Sequence, residues 1–281
     1  MSIQFITDSG SDITPREAAA LGIRLVPLKV IFGNEEFSDG VDLTIREFYD
    51  RLIESDTLPT TCQAAPADFE AALEQVTAAG DTAVIVTLSG RLSGTCQSAM
   101  IAAQDYPGAV VVDSESASLG QRILILHGLA LAKQGKTAPE IKKALDAQKK
   151  KLRVLALLDT LEYLKRGGRI SAATALAGSL LSIKPVVTVE QGEVAMAGKA
   201  RGSRQGNNLL RQLVERCGGI DFELPYCLAY SGQSDLLLQK YIQDSAELWQ
   251  GHTDHLPIAQ VGSVIGTHVG PGVVAVAFFE K

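Results

Sequence analysis

An apolar run followed by a polar loop and then a helical pattern recurs along the first half of this chain. Residues 83–88 are apolar, residues 91–98 are rich in serine, glycine and threonine, and residues 99–103 continue as a helical pattern. Loops of similar composition lie at residues 7–12, 60–63 and 113–120. Such β/α alternation predicts a parallel sheet with helices on both faces.

The polar loops predict a ligand site. Loops that follow the strands of an open parallel sheet gather at its carboxyl edge, where ligands bind. Free backbone N–H groups and hydroxyls at a helix N-terminus favour an anion, so we expect a carboxylate or a phosphate there. The alternative for any single loop is plain helix capping, because strand-to-helix loops commonly carry serine or threonine as N-caps.

The length of 281 residues allows two domains of ordinary size. The second half mixes helical and strand patterns, including a helix over 172–181, a hairpin over 183–199 and a helix over 233–248. The lysine-rich run 148–151 predicts the boundary, which gives domains 1–151 and 152–281. The same run also fits a solvated helix C-terminus that complements the helix dipole, and both interpretations can hold.

Composition excludes several classes of function. The net charge of −6 argues against non-specific binding of nucleic acid, which needs broad positive potential. The longest apolar stretch, 123–132, is too short for a membrane helix, and residues 2–8 do not resemble a signal peptide. Four cysteines without CxxC spacing fit a reducing compartment and no metal site. We therefore expect a cytoplasmic protein without membrane insertion.

Enzyme signatures are also lacking. The string Gly135-Lys136-Thr137 lacks the earlier glycine of a phosphate-binding P-loop, and Ser93 does not lie in a GxSxG motif. His252 and His255 have no accompanying cluster of cysteines or carboxylates that would suggest a metal. His268 lies in a glycine-dense stretch, 266–272, which we interpret as a loop approaching a ligand or, alternatively, as a plain surface turn.

A series of ordered motifs resembles those of the DegV family over essentially the whole chain. The DegV family includes the fatty-acid-binding subunits of the fatty acid kinase of Gram-positive bacteria. The most specific string runs from Leu161 to Ser171. The other motifs are residues 6–9, 61–63, 93–99 and 113–114, the pair Lys184-Pro185, and the stretch 266–272.

The resemblance implies an α/β fold with two domains: an N-terminal DegV-type parallel sheet flanked by helices, and a C-terminal mixed α/β domain that encloses an acyl chain. One long-chain fatty acid would lie between the domains, with no other cofactor. Its carboxyl group would lie near Thr61, Ser93 and His268. A partner ATP-dependent kinase would phosphorylate the carried acid, so this chain itself would not be the enzyme.

Further residues receive roles through the same resemblance. Arg169 and Arg201, both in glycine-containing segments, would face phosphate or the partner kinase. Five residues would support the site loops: Cys62, Gly94, Thr95, Gly266 and Gly270. Cys62, Ala64 and Cys96 depart from the residues usual in the family, which affects the expected chain preference and kinase docking.

Two other functions stay open at this stage. Ser93 would be the nucleophile of a stand-alone hydrolase or acyltransferase if a base such as His268 lay within hydrogen-bond reach. The chain would instead be a lipid chaperone if it had no kinase partner. Transient contact with a membrane surface also stays open.

Overall fold

The computed structural model describes residues 2–171 and 183–281. The predicted helix over 172–181 lies outside these residues. The first sheet has four parallel strands in the order β2-β1-β6-β7, which confirms the predicted parallel sheet. Its strands are β1 (Ile3–Asp8), β2 (Ile23–Val26), β6 (Thr82–Thr87) and β7 (Val110–Asp113).

Helices cover both faces of this sheet. One face packs on α3 (Pro66–Ala78) and α4 (Thr95–Ala103), with Phe69 and Leu73 buried against Ile6 and Ile85. The other face packs on α5 (Leu119–Lys133) and α6 (Ala138–Gln148). Capping boxes begin three helices: α1 (Pro15–Leu21), α2 (Ile45–Glu54) and α6. In each, a threonine and a glutamate satisfy N–H groups that the first turn leaves free.

A small antiparallel sheet lies beside the first, in the order β4-β3-β5. Its strands are β3 (Lys29–Phe32), β4 (Glu35–Ser38) and β5 (Thr60–Cys62). The expectation of a loop at 60–63 was therefore wrong for residues 60–62. Thr60 and Thr61 are β-branched and pair with Ile31 and Val30, so the backbone is satisfied by a ladder rather than by a helix cap.

The C-terminal half forms a mixed sheet in the order β10-β9-β8-β13-β11-β12. Its strands are β8 (Leu152–Leu157), β9 (Ile183–Glu190), β10 (Glu193–Arg201), β11 (Cys227–Tyr230), β12 (Ile258–Gln260) and β13 (Val274–Phe279). Neighbouring strands are antiparallel except for the parallel pair β11 and β12. The chain therefore has the predicted architecture of a parallel sheet followed by a mixed α/β part.

Helix α5 lies between the two larger sheets. Ile123 and Leu124 are fully buried in one cluster that contains Val84 of the first sheet and Ala277 of the second. The outer face of the second sheet packs on α8 (Gly202–Arg216) and α9 (Leu236–Asp244), through Leu210 and Tyr241 among others. Among the described helices, none is long and apolar enough to cross a membrane.

Two further expectations for the second half need correction. The helix expected over 233–248 spans Leu236–Asp244, since Ser245 leaves helical geometry and a 3₁₀ turn follows at Ala246–Leu248. The stretch 266–272 is not a loop throughout: residues 266–269 belong to helix α10 (Ser263–Val269). Gly270 ends that helix with φ of 72°, a conformation that favours glycine.

Candidate functional site

A cavity of about 350 Å³ opens where the parallel sheet, the small sheet and the C-terminal half meet. Much of its lining is apolar, with Leu28, Leu88, Leu92, Ala117, Leu164, Val194, Val264, Ile265 and Val269. Polar groups come from Thr61, Cys62, Gln63, Ser93, Arg169 and His268. The arrangement suits a molecule with a long apolar part and a small polar head.

Thr61 and His268 face each other in this cavity. Thr61 is the middle residue of β5 and pairs with Val30 of β3, and His268 lies in the last turn of α10. Their Oγ1 and Nε2 atoms are 2.9 Å apart, which is a hydrogen bond. Burial, together with the nearby charge of Arg169, lowers the pKa of His268 to about 4. The imidazole is therefore neutral at neutral pH and offers one donor and one acceptor.

Ser93 lies in the loop between β6 and α4, as the sequence analysis expected. Its Oγ shares a hydrogen bond of 2.9 Å with Oγ1 of Thr95 and accepts one of 3.3 Å from the Thr95 N–H. Gly94 precedes α4, and a Cβ there would overlap the side-chain amide of Gln63. Gln63 donates to Oγ of Ser98 at 3.1 Å. The small residue thus lets Gln63 cross the loop and join β5 to α4.

The Ser93 loop is also bound to the C-terminal half. Ser89, fully buried, donates from Oγ to the carbonyl of Gly192 at 2.7 Å. Arg91 and Glu193 form an exposed ion pair of 2.9 Å beside it. Gly192 is at the turn of the β9–β10 hairpin, and the second residue of β10, Val194, lines the cavity. The polar loop and the apolar wall of the cavity are therefore tied together.

Arg169 lies at the rim of the polar end. It donates from Nε to the Leu92 carbonyl at 3.3 Å and from Nη1 to the Gly167 carbonyl at 2.5 Å. It follows α7 (Glu162–Arg166) and the pair Gly167-Gly168. Its guanidinium thus connects the segment after α7 with the Ser93 loop and brings a positive charge to the cavity.

An outer groove of about 510 Å³ reaches the same polar residues from another side. It shares Thr61, Arg169 and His268 with the inner cavity and adds Tyr163 and Arg166. The remaining lining residues are 56–60, Gly167 and Thr267. A head group held near Thr61 and His268 would therefore be within reach of a second molecule in the groove.

The other residues singled out from the sequence have varied positions. Cys62 lines the inner cavity, and Thr95 is buried as the first residue of α4. Gly266 lies inside α10, where a Cβ would crowd the ring of Phe48 and the hydroxyl of Tyr49, so it packs the helix rather than shaping a loop.

Gly270 and Arg201 complete the set. Gly270 lies against the ring of Tyr163 at the end of α10. Arg201 is exposed and is the last residue of β10, which begins at Glu193. Among the described residues that line the cavity and the groove, Arg201 is absent. The structure thus brings Arg169 to the site but does not bring Arg201 there.

Sequence reasoning missed the apolar contribution of α10. Val264, Ile265 and Val269 line the cavity together with His268 because they share one side of this helix. Their helical spacing was the sequence signal for this helix. The glycines at 262, 266 and 270 favoured the interpretation as a loop instead. In the described part of the chain, no cluster of three or more histidine, cysteine or acidic residues is placed to hold a metal ion.

Comparison with known proteins places this geometry in context. The model of the DegV family matches residues 2–281. A DegV domain-containing protein of Deinococcus radiodurans is 34% identical over 282 residues, covering 99% of this chain and 98% of that protein.

Two solved structures superimpose over 100% of both chains. A fatty-acid-binding DegV family protein from Thermus thermophilus has a TM-score of 0.89 and 31% identity. A DegV family protein from Eubacterium eligens, loaded with heptadecanoic acid, has a TM-score of 0.85 and 26% identity.

Proposed function

This chain belongs to the DegV family, and we propose that it binds one long-chain fatty acid between its two domains and presents the carboxyl group to a partner ATP-dependent kinase. The observation that carries the proposal is the inner cavity, which is apolar along most of its lining and polar where Thr61, Ser93 and His268 lie. The binding of fatty acids by the relatives from Thermus thermophilus and Eubacterium eligens supports it. Under this proposal the domains are 1–151 and 152–281.

The apolar lining would supply most of the affinity. Burying about sixteen methylenes at ~0.8 kcal/mol each gives on the order of 12 kcal/mol before costs. Ordering the flexible chain takes back a large part of this. The polar end would then determine the orientation of the ligand more than the strength of binding.

The polar end suits a carboxyl group. Thr61 and Ser93 offer hydroxyl donors, and the neutral imidazole of His268 offers a further hydrogen bond. Arg169 supplies the positive charge that a carboxylate needs when it leaves water. Cys62, Gly94, Thr95, Gly266 and Gly270 would shape the segments that carry these groups.

The outer groove would give the kinase access to the carboxyl group. The partner would transfer a phosphoryl group from ATP to a carboxylate oxygen, forming an acyl phosphate and leaving ADP. Arg169 and Arg166 line the groove, where their charge would attract phosphate or an acidic surface of the partner. Arg201 lies outside the groove and would act at a separate point of contact with the kinase. A carrier of this kind would work in the cytoplasm, where ATP is present.

Native mass spectrometry of the purified protein tests the ligand. We expect a mass increment of one fatty acid that disappears on extraction with organic solvent. The extracted lipid identifies the chain length and unsaturation. Protein that acquires no such increment, even after incubation with palmitate or oleate, would contradict the proposal.

A stand-alone serine hydrolase is the competing function. Within the described residues, however, the hydrogen bonds pair Ser93 with Thr95 and His268 with Thr61. Hydrolysis of p-nitrophenyl esters by the isolated protein, abolished in Ser93→Ala, would favour the hydrolase. Phosphorylation of fatty acid only after the kinase and ATP are added would favour the carrier, and binding without any phosphorylation would favour a lipid chaperone.

A further inference from the structure

Helix α10 is seven residues long, yet four of its residues line the inner cavity. It follows β12 of the C-terminal sheet in sequence. Its first residues, however, bind to groups of the N-terminal half. The carboxylate of Asp12 accepts a hydrogen bond of 2.9 Å from the N–H of Gly262, the residue before the helix. The carboxylate of Asp39 accepts one from the hydroxyl of Ser263.

A further hydrogen bond involves Val261, the residue before Gly262. The hydroxyl of Tyr49, on α2, donates to the carbonyl of Val261 at 3.1 Å. Asp12 follows the 3₁₀ turn after β1, and Asp39 follows β4. Three separate elements of the N-terminal half therefore converge on the segment from Val261 to Ser263.

Both aspartates are buried, with 5% of each exposed. Burial raises the pKa of each carboxyl group, that of Asp12 to about 7. Burying carboxylates is costly unless they are well hydrogen-bonded, so their partners matter. Asp12 also accepts from the hydroxyl of Ser118, and its backbone carbonyl accepts from Arg122 at 2.9 Å.

The start of α10 is rigidly related to His268. Ser263 and His268 are five positions apart in the helix, which is about 7.5 Å along its axis. Thr267 strengthens the turn by donating from its hydroxyl to the Ser263 carbonyl at 2.9 Å. A helix this short has too few internal hydrogen bonds to be stable alone, so its external anchors decide its position.

We propose that Asp12 and Asp39 are positioning residues, which anchor the start of α10 to the N-terminal half and thereby hold His268 against Thr61. This inference rests on the proposed function for its consequence, the affinity for fatty acid. The geometry of the His268 and Thr61 pair can be tested without it. In this arrangement two buried carboxylates outside the cavity determine the position of His268 inside it.

The experiment replaces the anchors one at a time, as Asp12→Asn and Asp39→Asn. The milder variant Ser263→Ala removes one partner of Asp39 and keeps both carboxyl groups. Nitrogen-15 NMR of the His268 ring, identified by its loss in His268→Gln, reports the pKa and the hydrogen bond to Thr61. Binding of palmitate reports the consequence for the site.

We expect the pKa of His268 to rise from about 4 toward its ordinary 6.5 in the variants, because water enters when the helix moves. The affinity for palmitate should fall about tenfold, and Thr61→Val should then add little further loss. Leu73→Ala, on the buried face of α3, is the control that lowers stability without touching α10.

Unchanged His268 resonances in all three anchor variants would overturn the proposal. So would equal changes in Leu73→Ala at matched stability, because the effect would then be general loosening. Failure of the parental protein to bind palmitate would contradict the proposed function alone, since the NMR result would still decide whether the anchors position His268.

Discussion

Replacing Gly167 by alanine should weaken ligand binding without removing any polar group from the site. A Cβ at this position would overlap Nδ1 of His268 and lie 3.0 Å from its Cε1. Gly167 has φ of −70°, so alanine adopts its backbone conformation without strain. The change therefore acts on the imidazole ring itself.

The ring must move by roughly 1 Å to restore ordinary van der Waals separation. That displacement is larger than the range of lengths of a good hydrogen bond, so the 2.9 Å contact with Thr61 is lost. Losing a hydrogen bond at a buried polar site costs about 1–3 kcal/mol. We therefore expect the affinity for a fatty acid to fall about 5- to 150-fold.

Isothermal titration with palmitate measures the loss, and Gly168→Ala is the matched control. A Cβ on Gly168 meets no atom within 4 Å, although its φ of 72° makes alanine strained there. Gly168→Ala should therefore lower stability but leave the affinity nearly unchanged. In a His268→Ala background, Gly167→Ala should have little effect, because the ring that it displaces is gone. An unchanged affinity in Gly167→Ala, or an equal loss in that background, would refute the reasoning.

Three further predictions concern the same site. Thr61→Val and Ser93→Ala should each weaken palmitate binding by about 1–3 kcal/mol, and an unaltered affinity in the double variant would place the carboxyl group elsewhere. His268 has a pKa of about 4 when folded against 6.5 ordinarily, so the unfolded state binds more protons between these values and acidification destabilises the protein. Between pH 7 and pH 4.5 the free energy of unfolding, measured with urea, should therefore decrease in both proteins, but by about 2–3 kcal/mol less in His268→Gln than in the parent. An equal decrease in both proteins would contradict this. Arg169→Ala should slow phosphorylation by the partner kinase more than Arg201→Ala, since only Arg169 of the two lines the groove; the reverse order in a coupled ADP assay would shift the kinase contact to β10.

Local sequence determined much of the fold. The capping boxes at Thr14, Thr44 and Thr137 begin helices from local sequence alone, because side chains within three residues satisfy the first N–H groups. The apolar runs 83–88 and 109–112 overlap strands β6 and β7, since their side chains suit a sheet covered on both faces. The Ser93 loop could be predicted as well, because its polar residues come directly after the apolar run of β6.

Tertiary structure decided the rest of the site. Thr61 belongs to a strand because β3 supplies its hydrogen-bond partners, with Val30 opposite it. Residues 263–269 form a helix despite Gly266, because Asp12, Asp39 and Tyr49 bind residues 261–263 and because Gly266 leaves room for the Phe48 ring and the Tyr49 hydroxyl. These contacts join distant parts of the chain, so no local pattern encodes them. The resemblance of the sequence motifs predicted Thr61, Ser93 and His268 as site residues. Only long-range packing brought them to one cavity and left Arg201 outside it.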